Sequence, residues 1–188
     1  MRPTTIVIVG PHGVGKSTTG QLLAESLSLP FHDELGRRLA RDLSLRPSTI
    51  TAADSQPAFD EAVMAAELHR DAQHRHQSRV VETWHPGNLA YAQLRSSAAS
   101  SKLLGAVRRA CFEANTVIVP LVAGQRTLNE RKTEPGAPSF FMAVAHETLE
   151  WAARLQLSVL HPVSTDGFST AQVVGDILSQ LSLFQEVA

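Results

Sequence analysis

The chain has 188 residues, 43% of them hydrophobic and 19% charged, with a formal net charge of −1. That length and apolar content suit one domain with a real core and exclude a disordered chain, while the near-neutral charge gives no general electrostatic case for nucleic acid or an acidic membrane. The single cysteine, Cys111, excludes an internal disulfide and a cysteine-based zinc site, and no apolar run approaches the roughly 20 residues of a membrane span, so a reducing cytoplasm is expected.

Thr5–Val9 is a short apolar run ending in glycine, which predicts a buried strand. Lys16–Ser28 carries Leu22, Leu23 and Leu27 on one face and predicts a helix stopped by Pro30. Leu29–His32 reads as a brief second strand leading into Asp33 and Glu34, and Gly36–Asp42 as a short helix. Ser44–Gln56 is loop-like, with Pro47 and Pro57 as breakers. Phe59–Gln77 places Phe59, Ala62, Val63 and Ala66 at helical spacing. Val80 and Val81 begin a third strand ending at Glu82. His85-Pro86-Gly87 reads as a turn, followed by helices at Asn88–Arg95 and Ser101–Ala114.

Cys111, beside Phe112 in the second of these helices, fits a packed or half-buried thiol better than a catalytic one. Asn115–Val119 predicts a central fourth strand. Gly124–Pro138 is polar, charged and rich in breakers, which predicts a mobile lid over about 124–138. A helix over Phe140–Leu155, a fifth strand over Leu157–Val163 and a closing helix over Thr170–Phe184 complete the chain. The sum is a single α/β domain over 1–188 in three α/β/α layers around a five-stranded parallel sheet; with the glycine-rich loop Gly10–Ser17 between its first strand and first helix, the expected fold is a P-loop NTPase fold. Ligands of such sheets bind at the C-terminal ends of the strands.

Gly10-Pro11-His12-Gly13-Val14-Gly15-Lys16-Ser17 satisfies every fixed position of the phosphate-binding loop, between a strand and an amphipathic helix. Gly10, Gly13 and Gly15 let the backbone turn tightly and bring its N–H groups against phosphate oxygens, and the helix adds its N-terminal donors and dipole. Lys16 is one of only three lysines in the chain, with Lys102 and Lys132. It is expected to reach the β- and γ-phosphates of ATP, with Ser17 ligating Mg²⁺. His12, Val14 and Thr18 complete the nucleotide-binding stretch; no chemistry is assigned to His12.

Motor-type and AAA-type ATPases need an apolar strand ending in Asp or Asp-Glu. Here Asn115–Val119 runs on into Pro120-Leu121-Val122-Ala123, and the guanine-reading string N-K-x-D is missing. The small phosphotransferases are left as the best class. Within it, Gly10–Ala40, with Asp33-Glu34 and Arg37 after the second strand, resembles the ribosylnicotinamide-kinase-like P-loop proteins. The stretch Glu82-Thr83-Trp84-His85-Pro86-Gly87-Asn88-Leu89-Ala90-Tyr91-Ala92 resembles the thymidylate kinase segment that begins Asp-Arg-Tyr and ends Leu-Ala-Tyr. The charged flap, the helix after it, the fifth strand and the last helix are similar to thymidylate kinase too. The Asp-Arg pair of that family is Glu82-Thr83 here, so the arginine that would hold an acceptor phosphate is missing. This favours an uncharged acceptor such as a nucleoside hydroxyl, with Arg37, Arg38 and Arg95 as possible replacements.

The resemblance implies ATP-dependent phosphoryl transfer, with Mg²⁺, to a small-molecule acceptor, a nucleoside or nucleotide first. A non-nucleoside hydroxyl acceptor, or a regulatory ATP-binding module with little turnover, are the alternatives. No nucleic-acid or membrane partner is expected, and a homodimer is left open. Glu34 is assigned to the acceptor side, with Asp33 in reserve; solvated acids capping the next helix are the bland reading. Glu82, ending a strand beside the phosphate loop, is assigned to Mg²⁺ with Ser17, against a surface acid at a strand end. Trp84, Tyr91, Phe59 and His85 line an acceptor pocket or fill the core; for Phe59 the core is preferred. His69, His74 and His76 lack ligand spacing and read as a solvated face. In the lid, Arg126 and Arg131 are expected to stabilise charge on the transferring phosphoryl group, Leu128 to pack inward, and Thr133–Pro138 to form the far hinge.

Overall fold

The computed structural model describes residues 3–44, 57–131 and 138–187. The elements in chain order are β1 (Thr4–Val9), α1 (Lys16–Leu27), β2 (Phe31–His32), α2 (Leu35–Asp42), α3 (Pro57–His74), β3 (Arg79–Glu82) and α4 (Trp84–Leu94). There follow α5 (Ser100–Glu113), β4 (Asn115–Val122), α6 (Gln125–Glu130), α7 (Pro138–Arg154), β5 (Ser158–Val159), β6 (Val163–Ser164) and α8 (Thr170–Val187). All strand pairs are parallel, in the order β2-β3-β1-β4-β5, and β6 continues the edge by pairing with β4.

The strands are apolar throughout because both faces of the sheet are covered. Side chains alternate across a strand, so Ile6, Ile8, Val80, Val117 and Val119 meet Leu23 and Ala24 of α1 and Val174 and Ile177 of α8. Val7, Val9, Val81 and Ile118 face the opposite layer, built from Trp84, Leu89, Leu103, Val107 and Trp151. Cys111 is buried in that layer, and burial pushes its thiol up to about 12, so it is packing rather than chemistry.

Three expectations are corrected. The turn at His85-Pro86-Gly87 is the first turn of α4, which starts at Trp84. A helix leaves its first N–H groups without intrahelical partners, so Pro86 forfeits nothing there. The fifth strand is two short ones. Ile118 and Val122 of β4 accept from Leu160 and Thr165, so the residue between them, Pro120, turns its missing N–H toward the same edge. With Pro120 unable to donate and Pro162 interrupting the facing segment, the ladder breaks at that level. The near part of the expected lid is the short helix α6, and Leu128 is buried as its spacing suggested. Pro57 opens α3 instead of breaking a loop. The loop read at Ser44–Gln56 lies, beyond Ser44, outside the described residues, as does the far hinge up to Pro138, which opens α7.

The register pairs Ile8 with Glu82 and Val9 with Pro120, so β1 and β3 end within a residue of one another, β4 runs on two residues to Val122, and the loop after Val9 leaves between its two neighbours. Gly10 makes that exit with φ +148°, and a Cβ there would lie 2.5 Å from the carbonyl oxygen of Leu121. Gly10→Ala is therefore expected to cost about 2 kcal/mol or more, lowering Tm by roughly 4–8 °C. A thermal melt within a degree of the parent would show that the strand exit tolerates a side chain.

Candidate active site

The loop 10–15 delivers α1 end-on to the level where the strands stop. Lys16 is buried; its Nζ donates to the carbonyls of Gly10 (3.0 Å) and Pro11 (3.3 Å) and lies 3.8 Å from Glu82 Oε1. Ser17 Oγ donates to Glu82 Oε2 at 2.7 Å. Arg37, on α2, spans from Glu34 (3.1 Å) to Glu82 (3.3 Å). Burial pushes the Glu82 carboxyl up from its ordinary value, and Lys16 pulls against that shift; Glu34 adds to it, while Arg37 and the Ser17 hydrogen bond oppose it. A buried carboxylate and a serine hydroxyl side by side are a hard-oxygen pair of the kind that Mg²⁺ takes.

The two acidic candidates after β2 are separated clearly. The Glu34 side chain is 11% exposed and turned toward Arg37, whereas the Asp33 side chain is 50% exposed and pairs at 3.6 Å with Arg38.

A narrow cleft opens beside the loop, lined by His12, Thr83, Tyr91, Phe141, Val144 and Thr148 among others. His12, given no chemistry above, stands 5.1 Å from the Phe141 ring. Of the four aromatic candidates, only Tyr91 lines this cleft. Trp84 and His85 are wholly buried, both bonded to Asp71, at 3.2 and 2.6 Å. Phe59 lies under the guanidinium of Arg95, 6.0 Å from its ring centre. Arg95 itself is buried and paired with Asp60, and its guanidinium also lies 5.5 Å from the Tyr91 ring centre. Among the described residues no group of three or more His, Cys, Asp and Glu would hold a metal. His69 and His76 are exposed, whereas His74 is half-buried, its ring centre 4.5 Å from that of His32.

The two arginines of the expected lid differ. Arg126 is 92% exposed and pairs with Glu130 at 2.9 Å. Arg131 reaches inward: it donates to Thr165 Oγ1 (3.0 Å), the Thr165 carbonyl (3.1 Å) and the Val14 carbonyl of the phosphate loop (3.5 Å). Thr165 and Asp71 went unnoticed in the sequence. A lone threonine after a strand, or an aspartate on a helix, carries no motif.

A phosphate loop on the central strand of a parallel sheet, with a carboxylate from the adjacent strand against its serine, defines a P-loop NTPase-fold protein. A family model described as AAA domain (AAA_28) matches residues 5–152, and the chain belongs to that family. That corrects the expectation that set AAA-type proteins aside. The observation behind it stands, since β4 ends without a carboxylate; the carboxylate at the loop comes from β3 instead. The chain is 39% identical over 69 residues to shikimate kinase of Pseudomonas fluorescens, over 34% of this chain and 37% of that protein, so it spans little more than a third of the curated relatives it matches. In fold it is similar to NadR in complex with NR (TM-score 0.69, 13% identity, 95% of this chain and 51% of that one). It is similar also to thymidylate kinase from Candida albicans (TM-score 0.64, 12% identity, 98% and 93%). The fold is that of the small P-loop kinases. No helix among the described residues is long and apolar enough to cross a membrane.

The contacts of these two arginines can be checked by stability. Arg126→Ala is expected to change stability by no more than about 0.5 kcal/mol, since an exposed helical pair contributes little. Arg131→Ala removes the bonds joining the end of α6 to two other segments and should cost about 1–2 kcal/mol. Denaturant melts of the two variants would refute this assignment if Arg126 proved the more sensitive site.

Proposed function

We propose that the chain transfers the γ-phosphoryl group of ATP to a hydroxyl of a small, uncharged acceptor, with a nucleoside as the first candidate, in the cytoplasm. The observation that carries the reading is the Ser17–Glu82 contact of 2.7 Å with Lys16 beside it. ATP supplies the phosphoryl group, and Mg²⁺ neutralises charge on its oxygens. The backbone N–H groups of Gly13, Val14, Gly15, Ser17 and Thr18 and the helix end behind them hold the phosphates. Lys16 would exchange its loop carbonyls for phosphate oxygens, and Ser17 and Glu82 are the residues that would hold the metal. Glu34 orients the acceptor hydroxyl and takes its proton late. Arg131, already beside the loop, is the better placed of the two lid arginines to meet charge on the phosphoryl group; Arg126 would have to swing in from solvent.

The uncharged acceptor is supported by the pairing of all three replacement arginines. Arg37 is shared by Glu34 and Glu82, Arg38 pairs with Asp33, and Arg95 is buried with Asp60. The likeness to shikimate kinase over 69 residues favours a second reading, a non-nucleoside hydroxyl acceptor. An ADP-release screen over nucleosides, nucleotides, shikimate, gluconate and simple alcohols separates them: stimulation by nucleosides is the expected result. ATP binding with no acceptor stimulation would instead indicate a regulatory module.

Two variants test the roles. Lys16→Ala should abolish turnover and weaken ATP binding with the fold intact; undiminished catalysis would sink the reading. Glu34→Gln should lower kcat by about 10²-fold or more while ATP affinity stays within a few fold. A loss confined to ATP affinity would remove Glu34 from the acceptor side.

A further inference from the structure

Glu82 and Thr83 stand at a turn that the backbone resists. Thr83 has φ +71° and ψ −66°, the geometry of a strained γ-turn, and Trp84 follows at φ +56°. Neither residue is glycine, one is β-branched and the other is bulky. Such conformations persist only where the surroundings over-determine them. Part of the accommodation is local: a Cβ at Gly87 would lie 2.5 Å from Thr83 Cγ2, so only glycine leaves room for that methyl. The Thr83 N–H still donates to the Ile8 carbonyl at 3.0 Å, which continues the ladder through the turn.

The remaining restraint converges on one carboxylate outside the site. Asp71, near the end of α3, accepts at Oδ1 from Arg79 Nη2 (2.6 Å) and from Trp84 Nε1 (3.2 Å), and at Oδ2 from His85 Nε2 (2.6 Å). Arg79 is the first residue of β3, and Trp84 and His85 are the first two of α4. The carboxylate therefore grips the backbone segment Val80–Thr83 from both ends. His85 is wholly buried and its Nδ1 has no hydrogen-bond partner, so Asp71 is the ring's one hydrogen-bonding contact among the described residues. Burial would raise the Asp71 carboxyl, yet the bond from His85 and the charge of Arg79 hold it below its usual value, so it stays an anion able to accept all three donors.

We infer that Asp71 is a positioning residue for the metal side of the site: by clamping Arg79, Trp84 and His85 it fixes the turn that keeps Glu82 against Ser17. This rests on the reading of Ser17 and Glu82 as the Mg²⁺ ligands. Asp71 touches neither the phosphate loop nor the cleft. Its loss should leave the intrinsic grip of the loop on ATP alone and weaken only what Glu82 supplies.

The test is calorimetric titration of ATP into the whole protein, first with EDTA and then over a series of Mg²⁺ concentrations, for the parent, Asp71→Asn and Asp71→Ala. In EDTA the ATP affinities are expected to agree within about twofold. The Mg²⁺ concentration that gives half of the full affinity gain should rise about 10- to 100-fold in Asp71→Ala, as for other groups that orient a metal ligand. It should rise less in Asp71→Asn, whose amide keeps one acceptor oxygen. Trp84→Phe removes one donor and leaves the carboxylate, and should shift the Mg²⁺ requirement in the same direction by less; it serves in place of Asp71→Ala should that variant fail to fold. A lowered Tm with an unmoved Mg²⁺ requirement in the folded variants overturns the proposal and makes Asp71 a purely structural residue. A parent protein whose ATP affinity ignores Mg²⁺ overturns the reading of Ser17 and Glu82 itself, and is recognised before any variant is compared.

Discussion

The carboxylate of Glu82 keeps 1% of its side chain exposed, and burying a charge is tolerable only where partners replace the lost water. Here three groups do so from three directions. Ser17 donates from the first turn of α1, Lys16 lies across from it, and Arg37 closes over the other oxygen from α2. Lys16 and Ser17 open α1 and Arg37 lies on α2, so the position of Glu82 ties the start of α1, β3 and α2 into one unit. Losing one partner of such a set strands the others in a low-dielectric site, which typically costs about 3–5 kcal/mol. The Lys16 amino group has three donors, and the carbonyls of Gly10 and Pro11 take two of them. The loop is thereby braced by the same lysine that its motif assigns to phosphate.

The sheet order explains why these groups can meet at all. With β1 between β3 and β4, the loop after β1 leaves the sheet with a strand end on each side. On one side is Glu82. On the other is Leu121, whose carbonyl crowds Gly10 so closely that no side chain fits. The chain reverses its direction of travel across the sheet at this point, which is where open α/β sheets present a crevice. The same edge shows what the fold gives up: Pro120 forgoes a ladder bond, the last strand splits, and β6 resumes pairing just before Thr165, the residue that Arg131 holds.

What a single sequence revealed divides by range. The phosphate loop is eight consecutive residues, and every helix with an apolar stripe declares itself within its own length; these were legible. So was Glu82 as a strand-end acid, because β3 is short and apolar. The aromatic residues were not. Trp84 and Tyr91 lie on the same helix, yet one is sealed behind the sheet and the other faces the cleft; the difference depends on where α4 begins, which a proline in its first turn disguised. Asp60 and Arg95, 35 residues apart, and Asp71 and His85, 14 apart, are partners only because α3 and α4 pack together. No local period encodes such a pairing. The arginine that seemed available for an acceptor phosphate was in this sense invisible as a core ion pair.

That ion-pair arrangement bears on the kind of acceptor the site can receive. A phosphate brought to Arg37 would meet a guanidinium already placed between Glu34 and Glu82, so its two negative charges would face two carboxylates for one cation. At separations near 4 Å a like-charge contact costs on the order of 1 kcal/mol in water and several times that in a partly desolvated cleft. Arg95 offers no relief, because drawing it out would leave Asp60 buried and unpaired and would uncover Phe59 and Tyr91. Arg38 is spoken for more weakly, but it sits with Asp33 on the solvent side of the acidic pair. A hydroxyl group carries none of this penalty. It could accept from Arg37 or donate to Glu34 without displacing either from its partner.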